Sequence, residues 1–262
     1  ADGSGVHERV LQAARTALSA RCVAPSGRAI DVPGELAVLP RRDLDAILCH
    51  AAVEAGVRMV APARFIAPLH DTSGRVVGAQ VGHGGLTREV RCNWLVLATG
   101  AAPAAVLSAG LCERRTPSAM ALRTYIRHPA LAAEAPHLRF VWHRRLRGGY
   151  GWVFPAPDGL FNIGVGVMDS HSAFAESSAG KRHKVRNLRQ LFDEFVAVDA
   201  VAGRLVREGE HLGELKGAPL RCDLDGTRWS APGVLVTGEA AGATYALTGE
   251  GIGKALETGI AA

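Results

Sequence analysis

The chain has 262 residues, 48% hydrophobic and 21% charged, which describes a folded globular protein with a sizeable core and excludes a disordered tail. Thirty basic residues against 25 acidic ones leave a net charge of +5, concentrated in residues 139–147 (RFVWHRRLR) and 181–189 (KRHKVRNLR). Both runs read first as solvated basic faces and second as docking surfaces for a phosphorylated substrate, acidic carrier or anionic membrane; the second run interleaves no aromatics, so no nucleic-acid partner is expected.

In chain order, residues 7–18 carry Val10, Leu11, Ala14, Ala17 and Leu18 at helical spacing. Residues 20–40, with PSG and VPG, predict hairpin-like strands. Residues 43–54 predict a helix with Leu44, Ile47, Leu48, Ala51 and Ala52 on one face, Asp43 at its start and Gly56 at its end. A strand is expected over 57–67, a turn at Asp71-Thr-Ser-Gly, and a returning strand over 75–82. Residues 94–100, WLVLATG, predict a buried parallel-type strand whose end approaches a backbone or a ligand. Strands of an antiparallel sheet follow over 118–127, 138–146, 150–155 and 160–168. An amphipathic helix is expected over 185–195, through Val185, Leu188, Leu191, Phe192 and Phe195. A short buried strand at 233–237 then leads through a glycine-rich turn into a helix containing Ile252, Ala255, Leu256 and Ile260. Two strand-to-glycine transitions thus bracket an antiparallel middle, which predicts a mixed α/β fold with a β-rich insertion. The boundaries fall at residues 1–112, 113–228 and 229–262.

The five cysteines, Cys22, Cys49, Cys92, Cys112 and Cys222, show no metal-binding spacing, so neither a metal site nor a disulfide framework is expected, and a reducing compartment is the default. No stretch of 18 apolar residues and no signal peptide is visible, which points to a cytoplasmic protein, with peripheral membrane contact allowed. The chain begins at Ala1 and stops within a helical run, GIAA, so it reads as a piece of a longer protein.

Chemistry concentrates near the C-terminus. The strand at 233–237 delivers Thr237-Gly238-Glu239 at its carboxyl end, where parallel α/β sheets bind ligands. A carboxylate after a glycine can accept hydrogen bonds from sugar or polyol hydroxyls. Thr248-Gly-Glu-Gly-Ile-Gly253 opens a helix with three glycines, whose amides and dipole favour negative charge.

GEAAG and LTGEGI together resemble the GDAAG and P-x-TGEGI segments of flavin-dependent oxidoreductases of the para-hydroxybenzoate hydroxylase and geranylgeranyl reductase type. The resemblance implies FAD as cofactor and a partial Rossmann-like FAD-binding domain interrupted by an antiparallel substrate domain. It implicates Gly238, Glu239, Gly242, Thr248, Gly249, Gly251 and Ile252 in FAD binding. Glu239 stands where Asp is usual, and Ala246 where Pro is frequent. The 41–57 stretch resembles the family's R-x-x-L-D-x-x-L helix and adds Arg41 to the cofactor residues, while Asp45 reads as fixing local structure. Residues 98–100, ATG, stand where relatives carry A-D-G. No GxGxxG follows a strand, so the first βαβ unit of the family is expected upstream of Ala1.

Residues 150–155, YGWVFP, followed by Gly164-Val-Gly166, match a segment of geranylgeranyl reductases that lines the substrate tunnel beside the flavin. As a strand, it puts Tyr150, Trp152 and Phe154 on one face before Pro155, and Gly164 and Gly166 on the partner strand share a face and leave open volume. These six residues are the expected contacts of a long apolar substrate. The alternative is a Trp/Phe-filled core beneath a hairpin. No catalytic residue is assigned; Tyr150 offers a hydroxyl to a proton but reads first as structural.

The function the resemblance implies is reduction of carbon-carbon double bonds in a prenyl lipid, the flavin supplying the hydride. NADPH, ferredoxin and a quinol all stand as electron donors. Two alternatives remain open: an oxygen-using hydroxylase or halogenase on the same fold, and a flavin-free fragment with a lipid-binding or structural role. No G-x-S-x-G or HExxH supports a hydrolase.

Overall fold

The structure is a computed structural model that describes residues 4–168, 187–224 and 226–262. Helix α1 (Ser4–Ala13) leads into β1 (Arg15–Val23) and β2 (Ala29–Val38), then α2 (Arg41–Glu54). Strands β3 (Arg64–His70), β4 (Val76–His83), β5 (Leu86–Arg91) and β6 (Leu95–Leu97) follow, with a short α3 (Ala104–Ser108). Next come β7 (Ala119–Arg127), α4 (Pro129–Glu134), β8 (Leu138–Val141), β9 (Gly149–Pro155) and β10 (Leu160–Met168). Helices α5 (Leu188–Val198) and α6 (Ala200–Glu208) precede β11 (Glu210–His211), β12 (Lys216–Leu220), β13 (Ser230–Ala231), β14 (Val234–Val236) and α7 (Ile252–Ala261).

The described residues divide into two compact units. One comprises 4–59, 121–167 and 187–218; the other comprises Val60–Met120 and Pro219–Ala262. Residues 1–112 had been expected to form one segment, yet β1, β2 and α2 group with the strands of the middle.

The first unit is built on a mixed sheet in the order β11-β7-β10-β9-β8-β1-β2, with β12 on β7. Strand β1 runs parallel to β8, whereas β1–β2, β8–β9 and β9–β10 are antiparallel. One face carries Val141, Val153, Phe161, Ile163 and Val165, packed against Leu191, Phe192 and Phe195 of α5 and Ala202 and Leu205 of α6. Each large side chain fully buried there contributes roughly 1.5–3 kcal/mol. Gly151 admits Phe195, whose ring would lie 2.3 Å from a Cβ at that position. Both helices are capped by side chains: Asn187 accepts from the Arg189 and Gln190 amides, and Asp199 from the Ala202 amide.

The second unit holds two three-stranded sheets, β3-β4-β5 and β13-β14-β6. In the latter, β14 runs parallel to β6, pairing Val234 with Leu95 and Val236 with Leu97. Val76, Leu97, Val106, Leu111, Val234 and Val236 form its core with Ala240 and Ala241.

Several expected boundaries shift. The helix expected over 7–18 ends at Ala13, and residues 15–23 are strand instead. There Ala17 and Ser19 are buried while Thr16 and Leu18 are exposed, an alternation that helical spacing does not produce. The strand expected over 57–67 begins only at Arg64, after a cis Ala61–Pro62 bond. The strand expected over 138–146 stops at Val141, and a 3₁₀ turn takes Arg144–Leu146. The 94–100 strand is three residues long, with Trp94 and Val96 exposed, so only one face is buried. The 185–195 helix runs over Leu188–Val198; Val185 and most of the second basic run lie outside the described residues. The helix at 43–54 begins at Arg41, and its expected face is the half-buried one. It ends as expected: Gly56 takes φ 94°, with the Gly56 amide on the Val53 carbonyl and the Val57 amide on the Ala52 carbonyl.

Candidate functional site

The two strand-to-glycine transitions meet in the second unit. Because β6 and β14 are parallel neighbours, their carboxyl ends deliver Thr99-Gly100 and Thr237-Gly238 side by side, the Thr237 amide donating to the Leu97 carbonyl at 3.1 Å. Gly238 takes φ 60° and opens a 3₁₀ turn, Gly238–Ala241, which Gly242 closes at φ 82°. A Cβ on Gly242 would stand 1.7 Å from the Asp223 carbonyl oxygen, so no other residue fits there.

Glu239 is half-buried on that turn. Its Oε1 accepts the Arg221 amide at 3.2 Å, and its Oε2 lies 3.7 Å from where a Cβ on Gly100 would be. Helix α7 packs behind: Thr258 Oγ1 accepts the Gly238 amide at 2.8 Å, and Ala255 lies 3.1 Å from a Cβ built on Gly238.

The second glycine run is a closed turn. The Tyr245 amide donates to the Glu250 carbonyl and the Gly249 amide to the Tyr245 carbonyl, both at 2.8 Å, with Gly249 at φ 68°. Thr248 Oγ1 accepts the Glu250 amide at 3.2 Å. Gly251 occupies the N-cap of α7 without a side-chain cap, and Ile252, at its first turn, is exposed. A carboxylate already sits at this helix start, since Glu250 Oε1 accepts the Gly253 amide at 2.8 Å. Thr244 Oγ1, buried with no hydrogen-bond partner, would be 2.7 Å from a Cβ on Gly251. Glu239 as acceptor, turns stripped of side chains and an orphaned hydroxyl fit the ribityl and diphosphate parts of FAD. The Gly238, Gly249, Glu250 and Gly253 amides are already engaged within the protein.

Arg41 belongs to the first unit, on the first turn of α2. It forms a bidentate ion pair with Asp45 at 3.0 and 3.2 Å, mostly exposed, so Asp45 fixes local structure as expected.

The aromatic segment forms β9. Its register on β10 sets Trp152 opposite Gly164 and Tyr150 opposite Gly166. Tyr150 and Trp152 are buried and Phe154 half-buried. Their rings lie 5.9 and 6.2 Å apart in sequence. Two further rings join them from β8 and its end: Phe140, 4.9 Å from Phe154, and Trp142, 5.6 Å from Tyr150. Asn162 accepts the Trp152 indole N–H at 3.1 Å and fixes that ring. The expected open volume is absent at Gly164, because the Trp152 ring lies over it, 2.4 Å from where a Cβ would stand. At Gly166 a Cβ would meet Trp152 and Tyr150 at ordinary contact distance, 3.7 and 3.8 Å.

Phe140 and Trp142 were hidden in a run that drew notice for its charge. Their spacing of two, in phase with a strand, is the signal that identifies them. The face continues outward: Cys22 is opposite Phe140 and Ile30, and Ala20 is opposite Val32. Ile30 and Val32 are exposed.

Among the described residues, the second unit carries a larger and a smaller cavity. The larger, about 350 Å³, sits between Pro62–Ile66 and the β4–β5 turn and holds none of the expected site residues. The smaller, about 140 Å³, is lined by three arginines. Among the described residues no cluster of metal-ligating side chains occurs, and no helix is long and apolar enough to cross a membrane.

No family model matches the chain. It is 33% identical over 238 residues to digeranylgeranylglycerophospholipid reductase 2 of Methanopyrus kandleri, covering 90% of this chain and 57% of that protein. It is 30% identical over 235 residues to the menaquinone reductase of Mycolicibacterium smegmatis, covering 87% and 53%. The chain thus spans somewhat more than half the length of these curated relatives. Among solved structures, a geranylgeranyl bacteriochlorophyll reductase-like protein of Thermoplasma acidophilum superposes with a TM-score of 0.74 at 22% identity, covering 98% of this chain and 61% of that one. The flavin-dependent brominase Bmp2 superposes with a TM-score of 0.69 at 15% identity over 91% of this chain, a likeness of fold. The mixed α/β fold and the sequence relatives lead to one assignment: the chain belongs to the geranylgeranyl reductase family of FAD-dependent oxidoreductases.

Proposed function

We propose that this chain is part of an FAD-dependent reductase that saturates carbon-carbon double bonds in a prenyl chain. The observation that carries the reading is the five-ring aromatic layer on β8 and β9, on a sheet face that continues through Ala20, Cys22, Ile30 and Val32. A largely apolar face over four strands, with no charged side chain among these members, suits a long hydrocarbon. The named reductases among its relatives support the same substrate class.

Each residue has a physical task in this reading. Glu239 accepts hydrogen bonds from cofactor hydroxyls, and the glycines at 238, 242, 249 and 251 let the cofactor approach the backbone. The rings of Tyr150, Trp152 and Phe154 orient the prenyl chain and exclude water, and Asn162 holds Trp152 in place. When bound and reduced, FAD supplies a hydride to one alkene carbon while a proton reaches the other.

The test is anaerobic incubation of the reduced, flavin-loaded protein with a prenylated lipid, followed by mass spectrometry. The expected product gains two hydrogens per saturated bond without oxygen. A product that forms only when oxygen is admitted contradicts the reductase reading and supports the hydroxylase or halogenase one. Glu239→Ala is expected to lower retained flavin about tenfold, read by visible absorbance of the purified protein.

A further inference from the structure

Outside the glycine turns, the least satisfied polar group among the described residues of the second unit is the guanidinium of Arg221. The residue is 2% exposed. Its Nη2 donates to Cys112 Sγ at 3.2 Å and to Thr227 Oγ1 at 3.0 Å, but its Nε and Nη1 are buried with no hydrogen-bond partner. Among the described residues no carboxylate lies at hydrogen-bond distance from that side chain, and Glu239 accepts the Arg221 backbone amide. A buried cation with spare donors is costly unless something accepts from it.

The Arg221 side chain also lines the 140 Å³ cavity, together with Arg114, Arg115 and Thr116. Arg114 is paired with Asp223, which also accepts from Ser118 Oγ at 2.6 Å, so that carboxylate is neutralised within the pair. Arg115 is exposed. Alanines and prolines, among them Ala101, Pro103 and Pro219, form the remaining wall, adding no acceptor side chain and lowering the local dielectric. Three arginines therefore line a small space, and among the described residues the one carboxylate beside them, Asp223, is paired with Arg114. Cys112 registers the same field: burial pushes its thiol up, yet hydrogen bonds from Thr227 and Arg221, the Arg114 backbone and the nearby Arg221 charge together hold it below the ordinary value.

We propose that this cavity binds a phosphoryl anion, held by the charge of the three arginines that line it, with the exposed Arg115 and Thr116 donating to it directly. Planar guanidinium donors match phosphate oxygens in pairs, and the volume admits a phosphoryl group but no whole nucleotide, so the anion is the charged end of a larger ligand or free phosphate. The assignment stands independently of the flavin reading, since it uses none of the residues expected to hold FAD.

Inorganic pyrophosphate is the probe, titrated calorimetrically into the full chain at low salt. Binding is expected to weaken about tenfold in Arg221→Met and about threefold in Arg115→Gln, and to weaken further as salt rises. Arg115→Gln alters an exposed residue and keeps the test decisive if Arg221→Met does not fold. Competition with ADP and with geranyl diphosphate then separates a nucleotide source from a prenyl diphosphate source. No binding in the wild type, or equal binding in the wild type and the variants, overturns the proposal and leaves the cavity to water.

Discussion

A methyl group at Gly164 would stand 2.4 Å from Trp152 Cζ2 and 2.5 Å from the Leu122 carbonyl oxygen, whereas one at Gly166 would make only ordinary contacts. The two glycines look alike in the sequence, yet the structure gives them different tasks: the first seats a ring, and the second sits beside one. Gly164→Ala is therefore expected to destabilise the chain by about 1–3 kcal/mol, and Gly166→Ala to stay within about 0.5 kcal/mol of wild type, both by denaturant melts. Equal effects would show that Trp152 does not lie on Gly164. That the two glycines share one face of the strand that partners the aromatic one was legible from spacing alone. The filling of that space was not, because an indole's direction depends on a partner, Asn162, that periodicity does not reveal. Arg221 was silent for the same reason: an arginine's burial is decided by the fold around it.

Elements that carry their own signals were read well, and those that depend on distant pairing were not. Helix α2 was legible because its apolar face repeats locally and Gly56 ends it. Residues 15–18 of β1 read as helix because Ala17 and Leu18 continue the helical spacing of Val10, Leu11 and Ala14, while the hairpin of β1 with β2 was legible from residue 20 on. Its pairing with the distant β8, where Cys22 meets Phe140 and Val23 meets Val141, has no local signal. Helix α6 drew no notice, and its start depends on one residue. Asp199, 2% exposed at its side chain, caps the Ala202 amide at 2.9 Å and pairs with Arg139 at 2.7 Å. Asp199→Ala removes both interactions and is expected to cost at least about 2 kcal/mol. Asp199→Asn keeps an oxygen for the cap and is expected to cost less. If the two variants melt together, the cap contributes nothing and the ion pair accounts for the whole effect. Helix α7 differs from α2: of its expected apolar residues Ile252, Ala255, Leu256 and Ile260, the three large ones are exposed, and Ala255, with Thr258, meets the Gly238 turn.

At the scale of the whole molecule, the chain divides its work between units. One carries the aromatic sheet face and the other the parallel strand pair with its glycine turns and the arginine-lined cavity. That both signatures occur in one chain was legible because glycines and aromatics at fixed spacing form short local patterns. The assignment of β1 and β2 to the aromatic sheet was not legible, since nothing local marks it. The central claim is that the aromatic face handles a prenyl chain while the glycine turns hold FAD, so the two must separate on mutation. The direct measurement is prenyl saturation per bound flavin in Trp152→Ala and Phe154→Ala, with melting temperature and flavin content recorded on the same samples. Flavin is expected to be retained while saturation falls about tenfold or more. Saturation at the wild-type rate in both variants, with flavin retained, would contradict the account.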